Sequence, residues 1–338
     1  MKAYAGIDLH SSNNYLGVID NNARKLYGKR LSNKLDKVLK ALKPIKKSLA
    51  GIAVESTFNW YWLVDGLIEN GYNVRLANPS AIKQYEGIKH TDDKWDAFWL
   101  AQMLRLNILP EGYIYPKQER PIRDLLRRRQ LFVRHRTSHI LSLQGMISRH
   151  VGMRLSGREI KKLTIEDVEQ IFDSPYLVLA ALNNIDTIRF LSRKIRLIER
   201  EIKLEVQLKP EFECLLTVPG IGIILALTIM LEVGDIRRFP KVGNYSSYCR
   251  CVKSQRLSDN KKKGEGNRKN GNKYLAWAYV EAAHFAIRAC KKAHSFYQRK
   301  KSKTNGAVAT KALSNKLARA SYYIMRDQRA FDQNMLFG

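Results

Sequence analysis

Four carboxylates stand in sequence that is otherwise apolar and strand-forming, or that starts a helix. Asp8 interrupts Ala3-Tyr-Ala-Gly-Ile-Asp-Leu-His10, Glu55 ends Gly51-Ile-Ala-Val-Glu55, and Asp93 and Asp96 open a helix at Thr91-Asp-Asp-Lys-Trp-Asp-Ala97. Acids converging from separate segments repel one another, and burying them is costly unless cations intervene. Magnesium meets that need. It takes hard oxygen ligands, keeps several waters and, in pairs, activates an attacking oxygen while stabilising a leaving one in phosphodiester cleavage. Asp93 and Asp96 also suit ordinary helix-start chemistry, since the macrodipole favours Asp in a first turn; Asp8 and Glu55, on apolar strands, favour metal. His10, His90, His135, His139 and His150 lack metal-ligand spacing and read as structural or phosphate-facing.

The elements that must position these acids follow a regular order. After the first strand, residues 15–20 and 25–31 alternate as strands about the turn Asp20-Asn-Asn22. Ser32-Asn33 is expected to cap a helix with Leu35, Val38, Leu39 and Leu42 at helical spacing. The strand ending in Glu55, a helix over 58–69 stopped by Gly71, and a short strand over 73–77 come next. Three meander strands followed by alternating helices and strands predict an α/β domain, a mixed sheet covered by helices as in ribonuclease-H-like folds. The helix after Asp92 carries Asp93, Ala97, Leu100 and Leu104 on one face with Asp96 beside them, and the Pro110–Pro116 break closes this domain at residue 116.

Residues 120–149 read as one long helix with an apolar side of Ile122, Leu125, Leu126, Phe132, Val133, Ile140, Leu143 and Ile147. Its other side carries Arg120, Arg123, Arg127, Arg128, Arg129, Arg134 and Arg136 against one nearby acid, Asp124, so this face reads as poorly neutralised and favours phosphate contact. A second helix over 176–208 repeats Ile188, Leu191, Ile195, Ile198 and Ile202 in a heptad pattern, and residues 117–209 are expected to form a helical hairpin or coiled-coil arm between two domains. The mostly helical third region, 210–338, opens with Leu215-Leu-Thr-Val-Pro-Gly-Ile-Gly222 before an apolar helix. That turn is helix-hairpin-helix-like, and backbone N–H groups around Gly220 and Gly222 are candidates to meet a phosphate. A basic, glycine-rich stretch over 253–272 contains Arg256, Lys261, Lys262, Lys263 and Lys269, with Lys273 just beyond; helices over 274–292 and 307–326 finish the chain.

Bulk composition narrows the partner. Lysine and arginine number 60 against 31 acids, a formal charge of +29, which makes nucleic acid the leading partner. With 338 residues, 45% of them hydrophobic, the chain can bury a sizeable core in about two domains. The longest apolar run, 218–231, contains Pro219, Gly220 and Gly222 and is shorter than the ~20 residues of a membrane helix, so no span is expected. The amino terminus lacks a signal-peptide pattern, which points to a cytoplasmic, nucleoid-associated protein. Cys214, Cys249, Cys251 and Cys290 have no CxxC spacing, and buried thiols are expected rather than zinc or disulfides.

Several ordered motifs resemble one family. Gly-Ile-Asp8-Leu-His, Ala-Val-Glu55-Ser-Thr and Asp93-Lys-Trp-Asp96-Ala resemble the acidic motifs of the DEDD transposases. Leu-Thr-Val-Pro-Gly-Ile-Gly222, Glu-Val-Gly-Asp-Ile-Arg-Arg-Phe239 and Lys269-Asn-Gly-Asn-Lys-Tyr-Leu275 resemble their carboxy-terminal transposase domain. The group is the insertion-sequence one-ten family, related to the Piv and MooV invertases. The resemblance implies a RuvC-like resolvase domain, a coiled-coil arm, and a second domain that supplies a catalytic serine to a composite site. It also implies Mg2+ held by Asp8, Glu55, Asp93 and Asp96, and a structured bridge RNA that pairs with donor and target DNA. A homo-oligomer, dimer or tetramer, is expected because two duplexes must be joined at four strands. Where the family often has Ser-Gly or Thr-Gly, this chain reads Leu257-Ser258-Asp259-Asn260, so the serine falls on Ser258 with Ser254 as the alternative. Two rival functions stay open on the residues: a Holliday-junction resolvase or site-specific invertase using metal-activated water, and a non-enzymatic architectural nucleic-acid binder. A sugar-kinase-like fold could share Gly-Ile-Asp-Leu, but no later glycine-rich phosphate loop follows.

Overall fold

β1 (Ala3–Leu9) lies at the centre of a five-stranded sheet. β2 (Asn13–Asp20) and β3 (Lys25–Ser32) continue it as an antiparallel meander, while β4 (Leu49–Glu55) and β5 (Val74–Ala77) add in parallel on the other side, giving the order β3-β2-β1-β4-β5. The computed structural model describes residues 2–82, 92–205, 209–253, 256–259, 261–265 and 270–337. The chain divides into two compact units, Met1–Lys117 and Gln118–Gly338.

The central strands are buried on both faces, which is why they read as nearly continuous apolar runs. Period two still sorts them. Ala3, Ala5, Ile7 and Leu9 pack with Ile52 and Val54 against α1 (Leu35–Leu42) and α2 (Tyr61–Glu69), whose buried residues are Val38, Leu42, Leu63, Val64 and Leu67. The opposite face takes α3 (Asp93–Arg105) through Phe98, Leu100, Ala101 and Met103. At Gly6 the approach is backbone to backbone: a Cβ there would lie 2.0 Å from the Ala97 carbonyl oxygen and 2.6 Å from the Ala101 nitrogen. The expected Ser32-Asn33 cap is not formed; Lys34 is the N-cap of α1 and makes no side-chain cap bond. Asn33 is taken up elsewhere, accepting from Asn14 Nδ2 at 3.0 Å and donating to the His10 carbonyl at 2.9 Å.

The second unit begins with α4 (Arg120–Val151), followed by α5 (Gly157–Ile160) and α6 (Ile165–Ile171), each started by a reciprocal capping box, and by α7 (Pro175–Glu205). The two long helices run antiparallel, with Arg129 beside Glu199 and His139 beside Asn184. All five residues of the heptad pattern, from Ile188 to Ile202, are buried. At the far end Ile140, Leu143 and Ile147 pack with Val168, Phe172 and Ile185. At the near end Leu126, Ile198 and Ile202 join the core formed by α8 (Pro210–Leu216), α9 (Ile223–Val233), α10 (Val242–Tyr248), α11 (Lys273–Ala289), α12 (Lys291–Lys303), α13 (Gly306–Asp327) and α14 (Gln333–Phe337). Between α10 and α11 the basic stretch forms a hairpin of β6 (Arg256–Ser258) and β7 (Lys261–Gly264).

The two closing helices expected from sequence are joined by a further one, α12, set off from α11 by the extended backbone of Cys290. Its sequence, KKAHSFYQRKKSK, buries only Ala293 and Phe296, too few apolar positions for a periodic signal. Among the described residues no helix is long and apolar enough to cross a membrane.

Because α3 rests on the backbone of β1, Gly6→Ala should destabilise the first unit by about 3 kcal/mol through overpacking. Urea unfolding measures this, and an unchanged midpoint would contradict the close approach.

Candidate metal centre and basic surfaces

The parallel register of β1 and β4 sets Ile7 opposite Val54, so Asp8 and Glu55 follow one residue later as neighbours on the face that α3 covers. Because α3 sits on Gly6, its first turn brings Asp93 and Asp96 to the same corner. The bland role for these acids falls to Asp92, which caps α3 by accepting the Trp95 N–H at 2.6 Å. His10 Nε2 lies 2.9 Å from Asp8 Oδ2 and 3.1 Å from Asp93 Oδ1, and Arg30 Nη1 reaches Asp93 Oδ2 at 2.5 Å. Asp8, His10 and Asp93 offer ligand atoms all within 4.8 Å of one another. The reading of His10 as structural or phosphate-facing is therefore corrected, for its side chain joins the acid cluster. Period two carried the signal: His10 follows Asp8 by two residues and shares its face. Asn33 and Asn59 both donate to the His10 carbonyl, at 2.9 and 3.0 Å, and hold this turn in place.

Like-charge crowding governs the electrostatics. Asp8 is only 2% exposed. Burial, then the hydrogen bond with Asp8 and the charges of Asp8 and Asp96, push the Glu55 carboxyl up to about 8. Burial and the charges of Asp8, Asp93 and Asp92 push Asp96 up to about 6. Burial also acts to raise Asp93, but Arg30 and His10 outweigh it and hold that carboxyl below its ordinary range. Asp96 Oδ1 is buried with no hydrogen-bond partner among the described residues. A buried carboxylate oxygen left unsatisfied amid three other acids fits a hard divalent cation, which would satisfy it and offset the repulsion.

In the second unit Ser258 ends β6 opposite Lys261, and Asp259 turns the hairpin with a left-handed φ of 52°. Ser258, Lys261 and Lys263 are exposed, as is Lys273 at the start of α11. Ser254 and Lys269 lie outside the described residues, as do the side chains of Arg256 and Lys262. Gly220 has a packing reason of its own: its φ is 88°, and a Cβ would lie 2.2 Å from the Ala282 carbonyl oxygen in α11. Gly222 faces open space at the uncapped start of α9.

Two family models match most of this architecture: a DEDD transposase model of the IS110 type over residues 5–151, and a model described as the transposase IS116/IS110/IS902 family over residues 212–298. The chain belongs to the IS110 family of DEDD transposases. It is 24% identical over 246 residues to a probable family 20 transposase of Pseudomonas aeruginosa, covering 71% of this chain and 72% of that protein. It is 23% identical over 341 residues to the transposase for insertion sequence element IS1328 of Yersinia enterocolitica, covering 97% and 98%. Against the transposase for insertion sequence element IS1111A of Coxiella burnetii, identity is 25% over 240 residues, 69% of this chain and 64% of that one. The acid cluster accordingly belongs to an enzyme that acts on DNA.

The arginines of the transposase's α4 are distributed differently from the sequence reading. Arg120 and Arg123 are buried. Arg127 is paired with Glu232 at 2.6 Å and Arg129 with Glu199 at 2.6 Å, while half-buried Arg136 donates to Ser192 Oγ at 3.3 Å. The inference that Asp124 is the sole acid neutralising this face is thus corrected, because the partners come from α9 and α7. Arg128 and Arg134 are exposed. Sequence reasoning passed over the basic density of α12, where Lys291, Arg299, Lys300, Lys301 and Lys303 are exposed. The signal was present, since residues 282–326 contain no acid.

Between its ordinary value of 4.5 and about 8, Glu55 keeps a proton in the folded chain that the unfolded chain has released. Without a divalent cation, stability contributed by this group therefore falls as pH rises through that window. Metal binding displaces the proton. The Tm increase produced by a divalent cation is expected to be larger at about pH 8 than at about pH 5, and Glu55→Gln should flatten that dependence. A metal-induced Tm shift independent of pH would count against Glu55 as a ligand.

Proposed function

We propose that this transposase is a magnesium-dependent recombinase of a mobile element that cuts and rejoins DNA through a serine–DNA covalent intermediate. The observation that carries the metal half is the convergence of Asp8, Glu55, Asp93 and Asp96 around a buried Asp96 oxygen with no hydrogen-bond partner among the described residues. These four residues would hold Mg2+, with His10 beside them. When bound, the metal supplies charge stabilisation to the reacting phosphodiester. The sheet order β3-β2-β1-β4-β5, an antiparallel meander extended by two parallel strands, supports a RuvC-like assignment for this unit.

Ser258 is the proposed nucleophile. Its Oγ attacks phosphorus; the P–Oγ bond forms, the P–O bond to the leaving deoxyribose breaks, and the leaving oxygen gains the proton that Oγ gives up. The phosphoserine ester conserves the energy of the broken bond, so strands can be rejoined without an external energy source. Exposure of Ser258 beside Lys261 and near Lys263 supports the role, because cations favour the alkoxide and the charge on the phosphorane.

Nucleic-acid backbone is proposed to lie on Arg128, Arg134, Lys261, Lys263 and the exposed cations of α12. Lys300, Lys311 and Lys316 also line, with Arg250 and Lys253, a groove at the base of the hairpin. The partner nucleic acids are donor and target DNA and a structured noncoding RNA that pairs with them, so that base pairing carries sequence and the protein reads backbone. α4 and α7 form the coiled-coil arm of a dimer or tetramer, supported by the exposed apolar residues Leu141, Phe190 and Leu197 along them. The setting is the bacterial or archaeal cytoplasm.

Asp8→Asn keeps the shape of the side chain while removing its charge, and should abolish strand cleavage in Mg2+ with nucleic-acid binding retained. Full cleavage by that variant would exclude Asp8 as an essential ligand. Denaturant trapping should yield a protein–DNA adduct that Ser258→Ala cannot form. An undiminished adduct moves the role to another serine such as Ser254, and cleavage without adduct in the wild type restores metal-activated water. Replacing Lys300, Lys301 and Lys303 with Gln should weaken binding across unrelated sequences and reduce the salt slope by about 2–3. An unchanged slope removes α12 from the interface.

A further inference from the structure

The hairpin that carries Ser258 is tied down where the chain leaves α10 and again where it returns to α11. On the outgoing side Arg250 has a left-handed φ of 53°, and its guanidinium donates to the Asn270 carbonyl at 3.2 Å and to the Gly271 carbonyl at 3.1 and 2.8 Å. On the returning side the Asn272 N–H donates to the Tyr248 carbonyl at 2.6 Å. Gly271, with φ 89°, sits so close that a Cβ would lie 2.4 Å from that same Tyr248 oxygen.

Asn272 links this closed root to the interior. Its Oδ1 accepts from the Tyr274 and Leu275 N–H groups, starting α11, while its Nδ2 donates to Glu232 Oε2 at 2.7 Å. Glu232 is 4% exposed in a helix that is otherwise almost wholly apolar, IILALTIMLEV. The same carboxylate receives Arg127 Nε and Nη2 at 2.6 and 2.7 Å, and the guanidinium of Arg127 stacks over the Tyr274 ring at 4.6 Å. Asp124 Oδ1 lies 3.7 Å from Arg127 Nη1 on the side away from Glu232's two bonds. A buried ion pair is weak evidence of stabilisation, since apolar residues of similar volume commonly serve as well. An apolar residue could not hold the Asn272 amide.

We propose that Glu232 is a positioning residue for strand transfer: by gripping Asn272 with one oxygen while both are locked to Arg127 of α4, it fixes the root of the Ser258 hairpin against the long helix. This rests on the reading of Ser258 as nucleophile. Small displacements of a reacting group cost large factors in rate, on the order of 10²-fold per ångström, so an anchored root matters for a nucleophile borne on an exposed hairpin.

The test uses the full chain with DNA and Mg2+ and two designs. Asn272→Ser retains a side chain able to cap α11 and leaves the Arg127–Glu232 pair whole, but removes the amide that Glu232 grips. Arg127→Met with Glu232→Leu replaces the pair by apolar bulk and guards against loss of folding. Single-turnover adduct formation, DNA Kd, Tm and amide exchange at Gly271 and Asn272 are measured for each. The expected result is an adduct rate lowered about 10- to 100-fold in both designs, faster exchange at Gly271 and Asn272, and Kd and Tm near wild type. Wild-type adduct rates in either design overturn the proposal. If the wild type cleaves DNA without any adduct, the serine reading fails by itself; exchange then judges the anchor, upheld by acceleration in Asn272→Ser and overturned by unchanged rates.

Discussion

Repulsion among carboxylates gathered at one corner of a sheet is the constraint around which the first unit is built. Asp8 and Glu55 are neighbours because β1 and β4 are parallel in a fixed register, and Asp93 and Asp96 join them because α3 rests directly on Gly6. Each nearby feature answers the charge thus created. His10 Nε2 lies between Asp8 and Asp93, Arg30 brings a positive group to Asp93, and Glu55 holds its proton to higher pH. Asp92 takes the capping duty, which leaves Asp93 and Asp96 turned to the cluster. The Asp96 oxygen left without a hydrogen-bond partner among the described residues is one that a hard cation would satisfy.

Charge is handled by a different rule in the second unit. There several arginines of the helix richest in them are buried or paired, with Glu232 and Glu199 meeting Arg127 and Arg129. Desolvating such groups is costly, and each pair offsets that cost only while both partners are present. Exposed positive charge is found on α12, on the hairpin and on the outward arginines of α4, and also along α7 at Arg193, Lys194, Arg196 and Arg200. High net charge is thus a poor guide to which basic residue meets a phosphate. It counts cations without saying which of them already have an acid beside them.

Much of the local order follows from the residues alone. Period-two and period-3.6 patterns, turn residues and the helix stop at Gly71 gave the strand–helix sequence of the first unit and the two long helices of the second, because these signals arise between neighbours in the chain. Where such signals were thin the reading slipped. α12 buries two residues in thirteen and leaves no apolar stripe, and Ser32-Asn33 looked like a helix cap until the side chain of Asn33 found Asn14 and the His10 carbonyl across the sheet.

The sequence by itself determined that Asp8 and Glu55 sit in apolar strands, that Asp93 and Asp96 open a helix, and that the chain carries a large excess of positive charge. Only the tertiary structure decided that these four acids lie together, that His10 is among them, and that Arg127 belongs to Glu232. Arg127 and Glu232 meet across 105 residues, and the Asn59 bond that holds the His10 turn spans 49. Local patterning specifies which face a residue occupies, whereas burial and pairing depend on what the rest of the chain packs against that face.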